Sequence, residues 1–439
     1  MITPLKLLFL AHPFPPFRTI ASVRTWNIAK YLARSGWDIT VVTIHPSLLR
    51  HVDHPKETDA NLEREGIRRI LTGHRWRCLV PDDLKWWNQG LGWLVGGVCR
   101  RIARHRGIER EIGWIKAAEQ ACSALTSEDV DLILASGPPF ASFKLAKRLS
   151  ERLGRPYVLD YRDPWTRRSR SARQARAAAV REEERLLAGC AAVTVVSPSM
   201  SLAMDRRFGL GPKLHVVTNG YDPEEPACVE PYNFDHFAIV YAGNFYARWL
   251  VISPVMAALK RLEKITNRRD AKYYFHYYGV QEKHVREEAE RFGVMERVVL
   301  HGNVPRAEAL SAIRGAGVAV VISSVAEEAT LYLKGVVTGK IFEILGLGTP
   351  ILLIAPAGSD IQTIVETAGG ARSFTGKDID GMAAFLSDAM FGRIPERKDS
   401  TAYAWPSIIK GLDAVLREAA EKRLQPMHGR QLDHDQQTV

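Results

Sequence analysis

Short apolar runs that read as strands alternate with stretches of helical spacing almost from the first residue. The runs are KLLFLA near Leu8, DITVVTI near Val41, DLILAS near Ile133, PYVLDY near Leu159, AAVTVVS near Val195 and KLHVVTN near Val216. Alternation of this kind builds a parallel sheet with helices on both faces. Between the first two runs, residues 20–35 place Val23, Ile28, Tyr31 and Leu32 near one face and stop at Gly36, which predicts a helix and a βαβ start. The same pattern begins again with FAIVYAG near Val240, KYYFHYY near Phe275, VVLHGN near Val299, GVAVVIS near Val320 and PILLIA near Leu352. Pro223 to Asn233, rich in Pro and acids, reads as the linker between the two sets. The expected fold is therefore α/β, with two doubly wound Rossmann-like domains over 1–225 and 226–403. Ligands in such sheets bind beyond the carboxyl ends of the strands, so a cleft between the domains is the expected site.

The 439 residues give room for two to four domains, and 46% hydrophobic with 25% charged residues is an ordinary globular composition. Five scattered cysteines without a CxxC pair indicate neither a disulfide framework nor a zinc site, and a reducing compartment fits them. The opening MITPLKLLFLAHP lacks a basic flank and a small-residue cleavage pattern, so it reads as a strand rather than a signal peptide. LGWLVGGVC near Trp93 falls well short of the ~20 residues that cross a bilayer.

Charge divides unevenly. Residues 1–225 hold 35 Lys and Arg against 24 Asp and Glu, a net +11, whereas residues 226–439 hold 25 of each. A basic first half beside a neutral second half points to an anionic partner such as phospholipid, a lipid pyrophosphate or nucleic acid. Trp86, Trp87, Trp93 and Trp114 stand among Arg100, Arg101, Arg104 and Arg106, a mixture that fits a membrane-interface element or a covered helix with a basic outer face. Arg167, Arg168, Arg170, Arg173, Arg176 and Arg181 form a second basic run, either a solvated helix face or a lipid contact. Residues 423–439 are polar, Gln-rich and unpatterned, and are expected to be a disordered tail.

Several chemistries lack their motifs. The turn after the first strand, AHPFPPFRTIAS, contains no glycine and so no dinucleotide fingerprint. No GxxxxGK[ST] loop, HExxH, GxSxG elbow or EF-hand loop occurs, and the thirteen histidines show no metal-ligand spacing. No nucleic-acid-binding module is recognisable either.

The most specific stretch is TGKIFEILGLGTPILLIAP, Thr338 to Pro356. A helix starting near Lys340 would carry Glu343 in its first turn and end at Gly346 and Gly348 before a buried strand. A helix start facing the cleft offers free N–H groups and partial positive charge to a diphosphate. A carboxylate there can accept both hydroxyls of a ribose, or can simply complement the helix dipole.

This segment resembles the nucleotide-sugar site of family four glycosyltransferases, retaining enzymes of GT-B architecture with a similar K-x-[FY]-E-x-[LM]-x-x-G-x-P text. HPFPPFRTIASVRTWNIAKYLARSGWDITVVT, DLILASGPP, VLDYRDPW, VVTNGYD, YAGNF and HGNVPRAEALSAIRGAGVAVVIS resemble further pieces of that family in the same order. The resemblance, over roughly residues 5–422, implies that Glu343 binds the ribose, that Lys340 with the Gly339 to Ile341 amides meets the phosphates, and that Gly243 admits the diphosphate, with Asn244 and Asn303 beside the donor. It also implies that residues 404–422, around AWPSIIKGLDAVLREA, form a helix crossing back to the first domain, with Ile408, Ile409, Leu412, Val415 and Leu416 as its buried stripe.

Three departures qualify it. Many members have an E-x7-E pair, and the first position is Gly335 here, with Glu327 and Glu328 upstream as possible substitutes. Asn244 stands where many have an Arg, leaving Arg248 as the nearest cation. The first-domain loop carries Phe17 to Ala21, flanked by Arg18 and Arg24, in place of a glycine pair.

Transfer from a nucleotide sugar needs stabilisation of the leaving diphosphate above all, and fixed cations can supply it without metal. No convincing DxD motif is present, so Lys340 and Arg248 are expected to serve, with no metal and no cofactor beyond the donor. The DYRDPW turn should sit at the cleft rim of the first domain. There Asp163 or Asp160 would orient or deprotonate an acceptor hydroxyl, Arg162, Arg18 and Arg24 would hold phosphate or acceptor, and Asp163 would alternatively cap the following helix. The expected protein is a cytoplasmic, membrane-peripheral glycosyltransferase using a nucleotide sugar and a lipid-linked or glycan acceptor for surface polysaccharide or glycolipid assembly. It would bind anionic membrane through the first domain and no nucleic acid. A nucleotide-sugar epimerase of the same architecture and a degenerate non-catalytic relative remain as alternatives.

Overall fold

The computed structural model describes residues 3–17, 19–49, 52, 55–74, 101, 112–168, 173–245, 251–266, 272–326 and 329–422. The first domain runs β1 (Lys6–Leu10), α1 (Ile20–Arg34), β2 (Asp38–Ile44), α2 (Pro55–Arg64), β3 (Arg68–Thr72), α3 (Ile112–Ala121), β4 (Leu132–Gly137), α4 (Ala141–Leu153), β5 (Tyr157–Tyr161), α5 (Trp165–Arg168), α6 (Arg173–Gly189), β6 (Ala192–Val195), α7 (Pro198–Phe208) and β7 (Leu214–Val216). A short α8 (Glu224–Ala227) leads to the second domain: β8 (Phe237–Ala242), α9 (Ser253–Thr266), β9 (Tyr273–Tyr278), α10 (Glu282–Arg291), β10 (Val298–Leu300), α11 (Arg306–Gly315), β11 (Val318–Ile322), α12 (Leu331–Lys334), α13 (Lys340–Leu347), β12 (Ile351–Ile354), α14 (Asp360–Ala368), β13 (Ala371–Phe374) and α15 (Ile379–Met390). The last helix is α16 (Trp405–Glu421).

The two sheets are ordered β3-β2-β1-β4-β5-β6-β7 and β10-β9-β8-β11-β12-β13, and every pairing is parallel. Alternation along β1 shows why: Leu8 and Leu10 enter a core with α3 and α4, while Leu7 and Phe9 enter one with α1 and α16. In β8, Ile239 and Tyr241 pack on one side of the sheet and Ala238 and Val240 on the other. Strand order reverses between β1 and β4 and between β8 and β11, so the loops after β1 and β8 open at the switch points where doubly wound sheets take ligands.

The segment read as a linker is not a loose tether. Its acids contact the first domain, its Glu224–Ala227 turn is helical and packs beside α13, and Tyr232 donates its N–H to Ser311 O at 2.9 Å. A second crossing runs alongside, where the Tyr221 and Trp405 amides exchange hydrogen bonds with Tyr403 O (3.1 Å) and Tyr221 O (2.9 Å). Helix α16 then lies on the first domain, burying Trp405, Ile409, Leu412 and Leu416 against Leu7, Ile28 and Trp37, with Ile408 and Val415 half-covered at its edge.

Candidate active site

The start of α13 leaves main-chain donors open. Ile341 N–H donates to Thr338 O and Phe342 N–H to Gly339 O, both at 3.2 Å, which leaves the Gly339 and Lys340 amides as the open donors of this helix end among the described residues. The Ile341 amide, expected at the phosphates, is thus already used, and its side chain is wholly buried. The Lys340 ammonium lies 5.3 Å from the Tyr241 ring centroid and makes no ion pair among the described residues. Burial pulls it down to about 8, against the pull of Glu343 in the other direction. Gly243 follows β8 with φ +145°, a conformation that favours glycine, and a Cβ there would stand 1.5 Å from Lys340 Nζ and displace the ammonium from its present place.

One turn into α13, Glu343 meets Arg306 of α11 at 2.9 Å, and Arg306 also pairs with Glu225 at 2.8 Å. Burial works against the Arg306 charge, yet the two carboxylates more than offset it and hold the guanidinium above its usual value. Both Arg306 and Glu343 line a cleft of about 690 Å³ whose opposite wall is α1 and the loop before it, including Phe17, Trp26, Asn27 and Lys30. Lys30 donates to Asp222 (2.7 Å) and Glu224 (2.6 Å), and Tyr31 OH to Asp222 (2.8 Å), so the interdomain acids tie α1 to the second domain. Arg306 and these acids were missed in the sequence; the only signal was the acidic linker.

Two expectations for the first domain are corrected. Asp160 is 1% exposed and accepts from Arg24 Nε (3.2 Å) and Nη2 (2.7 Å), Ser136 (2.8 Å) and Thr194 (2.8 Å). Burial would raise its pKa, but Arg24 and these hydrogen bonds hold the carboxyl below its ordinary value. With both oxygens committed inside the core, it does not reach an acceptor. Arg24 Nη1 donates to Thr218 O and Asn219 Oδ1 and its Nη2 also to Val217 O, so it joins β5 to the chain crossing instead of offering a phosphate site.

Arg162 and Asp163 stay at the rim of the first sheet and line a separate interdomain cavity. Arg162 donates to the Gly137 and Pro138 carbonyls, and its Nη1 is buried with no hydrogen-bond partner among the described residues. Asn244 Oδ1 accepts from Val280 N–H at 3.2 Å, which ties the loop after β8 to the turn after β9, and Asn303 is exposed beside Gly302. Gly335 O accepts from Ser197 Oγ at 2.9 Å, and a Cβ at Gly335 would stand 3.0 Å from that oxygen and 3.1 Å from Met200 N, so the missing glutamate has helix α7 in its place.

Arg18, Arg248, Glu327, Glu328, Trp86, Trp87, Trp93, Arg100, Arg104 and Arg106 lie outside the described residues, as does the tail over 423–439. Trp114 does not belong to an interfacial element: it is fully buried on α3 and donates its Nε1–H to Thr72 at 2.6 Å. Among the described residues no helix is long and apolar enough to cross a membrane.

Residues 21–225 match the family model for Glycosyltransferase Family 4. Solved structures agree over the whole chain. Sucrose-phosphate synthase from Thermosynechococcus elongatus superposes with a TM-score of 0.58 at 14% identity, covering 95% of this chain and 96% of that one. WaaG, a glycosyltransferase involved in lipopolysaccharide biosynthesis, gives 0.53 at 12% identity over 95% and 99%. A putative UDP-N-acetylglucosamine 2-epimerase from Listeria monocytogenes gives 0.50 at 12% identity over 97% and 99%. No curated protein matches the chain in sequence. The architecture is thus GT-B, two Rossmann-like domains about a cleft. With a family four domain over 21–225, the chain falls in the glycosyltransferase class.

Proposed function

We propose that this protein transfers a sugar, with retention of anomeric configuration, from a nucleotide diphosphate donor to a lipid-linked or glycan acceptor of a surface polysaccharide or glycolipid, at the inner face of a membrane. The observation that carries the donor reading is the meeting of Lys340, Gly243 and the open start of α13, with Glu343 one turn on: Lys340, Glu343 and Arg306 line one small pocket, and Glu343 and Arg306 also line the larger interdomain cleft. The ammonium and the Gly339 and Lys340 amides would take the negative charge that builds on the diphosphate as the anomeric bond breaks, without a metal ion. Glu343 would accept the ribose hydroxyls, exchanging part of its contact with Arg306.

Gly335 offers the donor sugar no carboxylate at the position of the family's first glutamate, and Glu327 and Glu328 upstream are the candidates for that contact. Asp163 is the remaining first-domain carboxylate for the acceptor hydroxyl. The fold is shared with an epimerase, and the family match together with the basic first domain favours transfer. Product analysis with a labelled donor is the test: sugar on a new acceptor supports the proposal, and an epimerised donor alone refutes it.

A further inference from the structure

A cavity of about 200 Å³ lies between the domains, apart from the donor cleft. Trp165, Met200, Met204 and Phe208 of the first domain face Val336 and Val337 of the second across it, so most of its surface is apolar. Trp165, Met200 and Met204 are all under 10% exposed. At the ~30 Å³ that a water occupies in the liquid, the space equals about seven such volumes, enough for a short run of hydrocarbon.

One wall is different. Arg162 lines the cavity, and its Nη1 is buried with no hydrogen-bond partner among the described residues. A buried guanidinium nitrogen left unpaired is costly, and an anionic oxygen is the ligand that satisfies it best. Arg207 also lines the cavity. Of the two acids there, Glu183 is engaged by Thr166 OH at 2.6 Å and pushed toward its neutral form by burial.

The cavity depends on contact between the domains. Ser197 Oγ holds Gly335 O, while Ser199 gives its N–H and its hydroxyl to the two oxygens of Asp360, each at 2.8 Å. Gly335 allows this approach, and the residue that replaces a glutamate thereby removes a carboxylate from the wall.

We infer that this cavity takes the first carbons of the hydrocarbon chain of a lipid phosphate, with its phosphate at the wall that Arg162 and Arg207 form. The inference rests on the proposed acceptor class and narrows it to an amphipathic phosphate, whose reacting group would lie toward Asp163 at the same rim.

Decyl phosphate below its micellar concentration is the probe, compared with decanol and inorganic phosphate by titration calorimetry on the full chain. The expected result is binding of decyl phosphate at least tenfold tighter than either fragment. Arg162→Gln should weaken decyl phosphate at least tenfold and leave decanol unchanged. Ala203→Phe, which fills the cavity from α7, should weaken both while nucleoside diphosphate affinity stays the same. Met204→Phe serves if that variant does not fold. Equal binding of decyl phosphate by the wild type and a folded cavity-filling variant would overturn the inference, as would displacement of decyl phosphate by a nucleoside diphosphate. If no nucleoside diphosphate binds the wild type, the donor reading fails while the decyl phosphate titrations still decide the cavity.

Discussion

Arg306 Nη1 and Glu343 Oε1 lie 2.9 Å apart across the floor of the interdomain cleft, and Arg306 is held from its other side by Glu225. A ribose bound at Glu343 would meet a carboxylate that is already oriented and only 23% exposed. Glu343→Ala should therefore leave Arg306 paired and the fold intact, shifting the melting temperature by a few degrees at most. Donor affinity should fall at least tenfold, since hydrogen bonds to a charged group contribute about 1.5–3 kcal/mol. Calorimetric titration with the donor beside a thermal scan checks both; a large loss of stability with unchanged affinity would make Glu343 a structural acid.

Lys340 sets a pH limit on donor binding. Burial lowers its folded pKa to about 8 from 10.5, so the ammonium that would meet the diphosphate in the proposed site is present below pH 8 and lost above it. Affinity for a nucleoside diphosphate should be flat from pH 6.5 to 7.5 and fall about tenfold per unit beyond pH 8. The stability linkage has the opposite sense. The unfolded chain binds the extra proton between about 8 and 10.5, so this group's contribution to stability rises with pH across that window. Lys340→Gln should abolish the fall in affinity; a profile unchanged by that substitution would remove the lysine from the site.

The Arg24 and Asp160 pair is a structural element, and its loss should read as stability. Arg24→Met leaves a 1% exposed carboxylate without its countercharge, a change expected to cost about 3–5 kcal/mol. Denaturant unfolding measures it. Asp160→Asn in whatever fraction folds should keep the wild-type pH profile of turnover; loss of the acidic limb there would restore Asp160 as a catalytic base.

Acid should unfold the protein through buried neutral histidines. His276 sits in a ladder with His236 (2.8 Å) and His301 (2.9 Å), and burial, then His301 and His236, hold its pKa at about 4. His12 is held at about 3 by burial first, then by His74 and Arg162. Both folded values lie below the ordinary 6.5, so the unfolded chain binds more protons, and stability is lost as pH falls from about 6.5 toward 4. A loss of about 3 kcal/mol per fully shifted group is expected, and His276→Gln should reduce the slope in melting temperature against pH.

The fold and the donor helix were legible because they rest on local pattern. Strand runs such as KLLFLA and PILLIA carry the period that the sheet needs, and the Lys340 to Gly348 stretch carries both ends of its helix. Partners brought from far along the chain were not legible. Asp160 and Arg24 look like cleft residues in isolation, yet they lie 136 positions apart and find each other in the core. Arg306 gave no local sign that it would reach Glu343 and Glu225. Trp114 reads as interfacial beside its arginines, but Thr72 supplies the partner its indole needs inside the core.

In the proposed reaction, Lys340 and the start of α13 hold a nucleotide diphosphate whose sugar leaves for an acceptor. Proton NMR of a labelled nucleotide sugar, incubated with acceptor-bearing membranes in excess EDTA, follows donor and product in one tube. The expected spectrum shows nucleoside diphosphate released and sugar on the acceptor with the donor's anomeric configuration, at a rate at least a hundredfold lower for Lys340→Ala. An epimerised donor with no diphosphate released, or transfer undiminished in Lys340→Ala, would contradict the account.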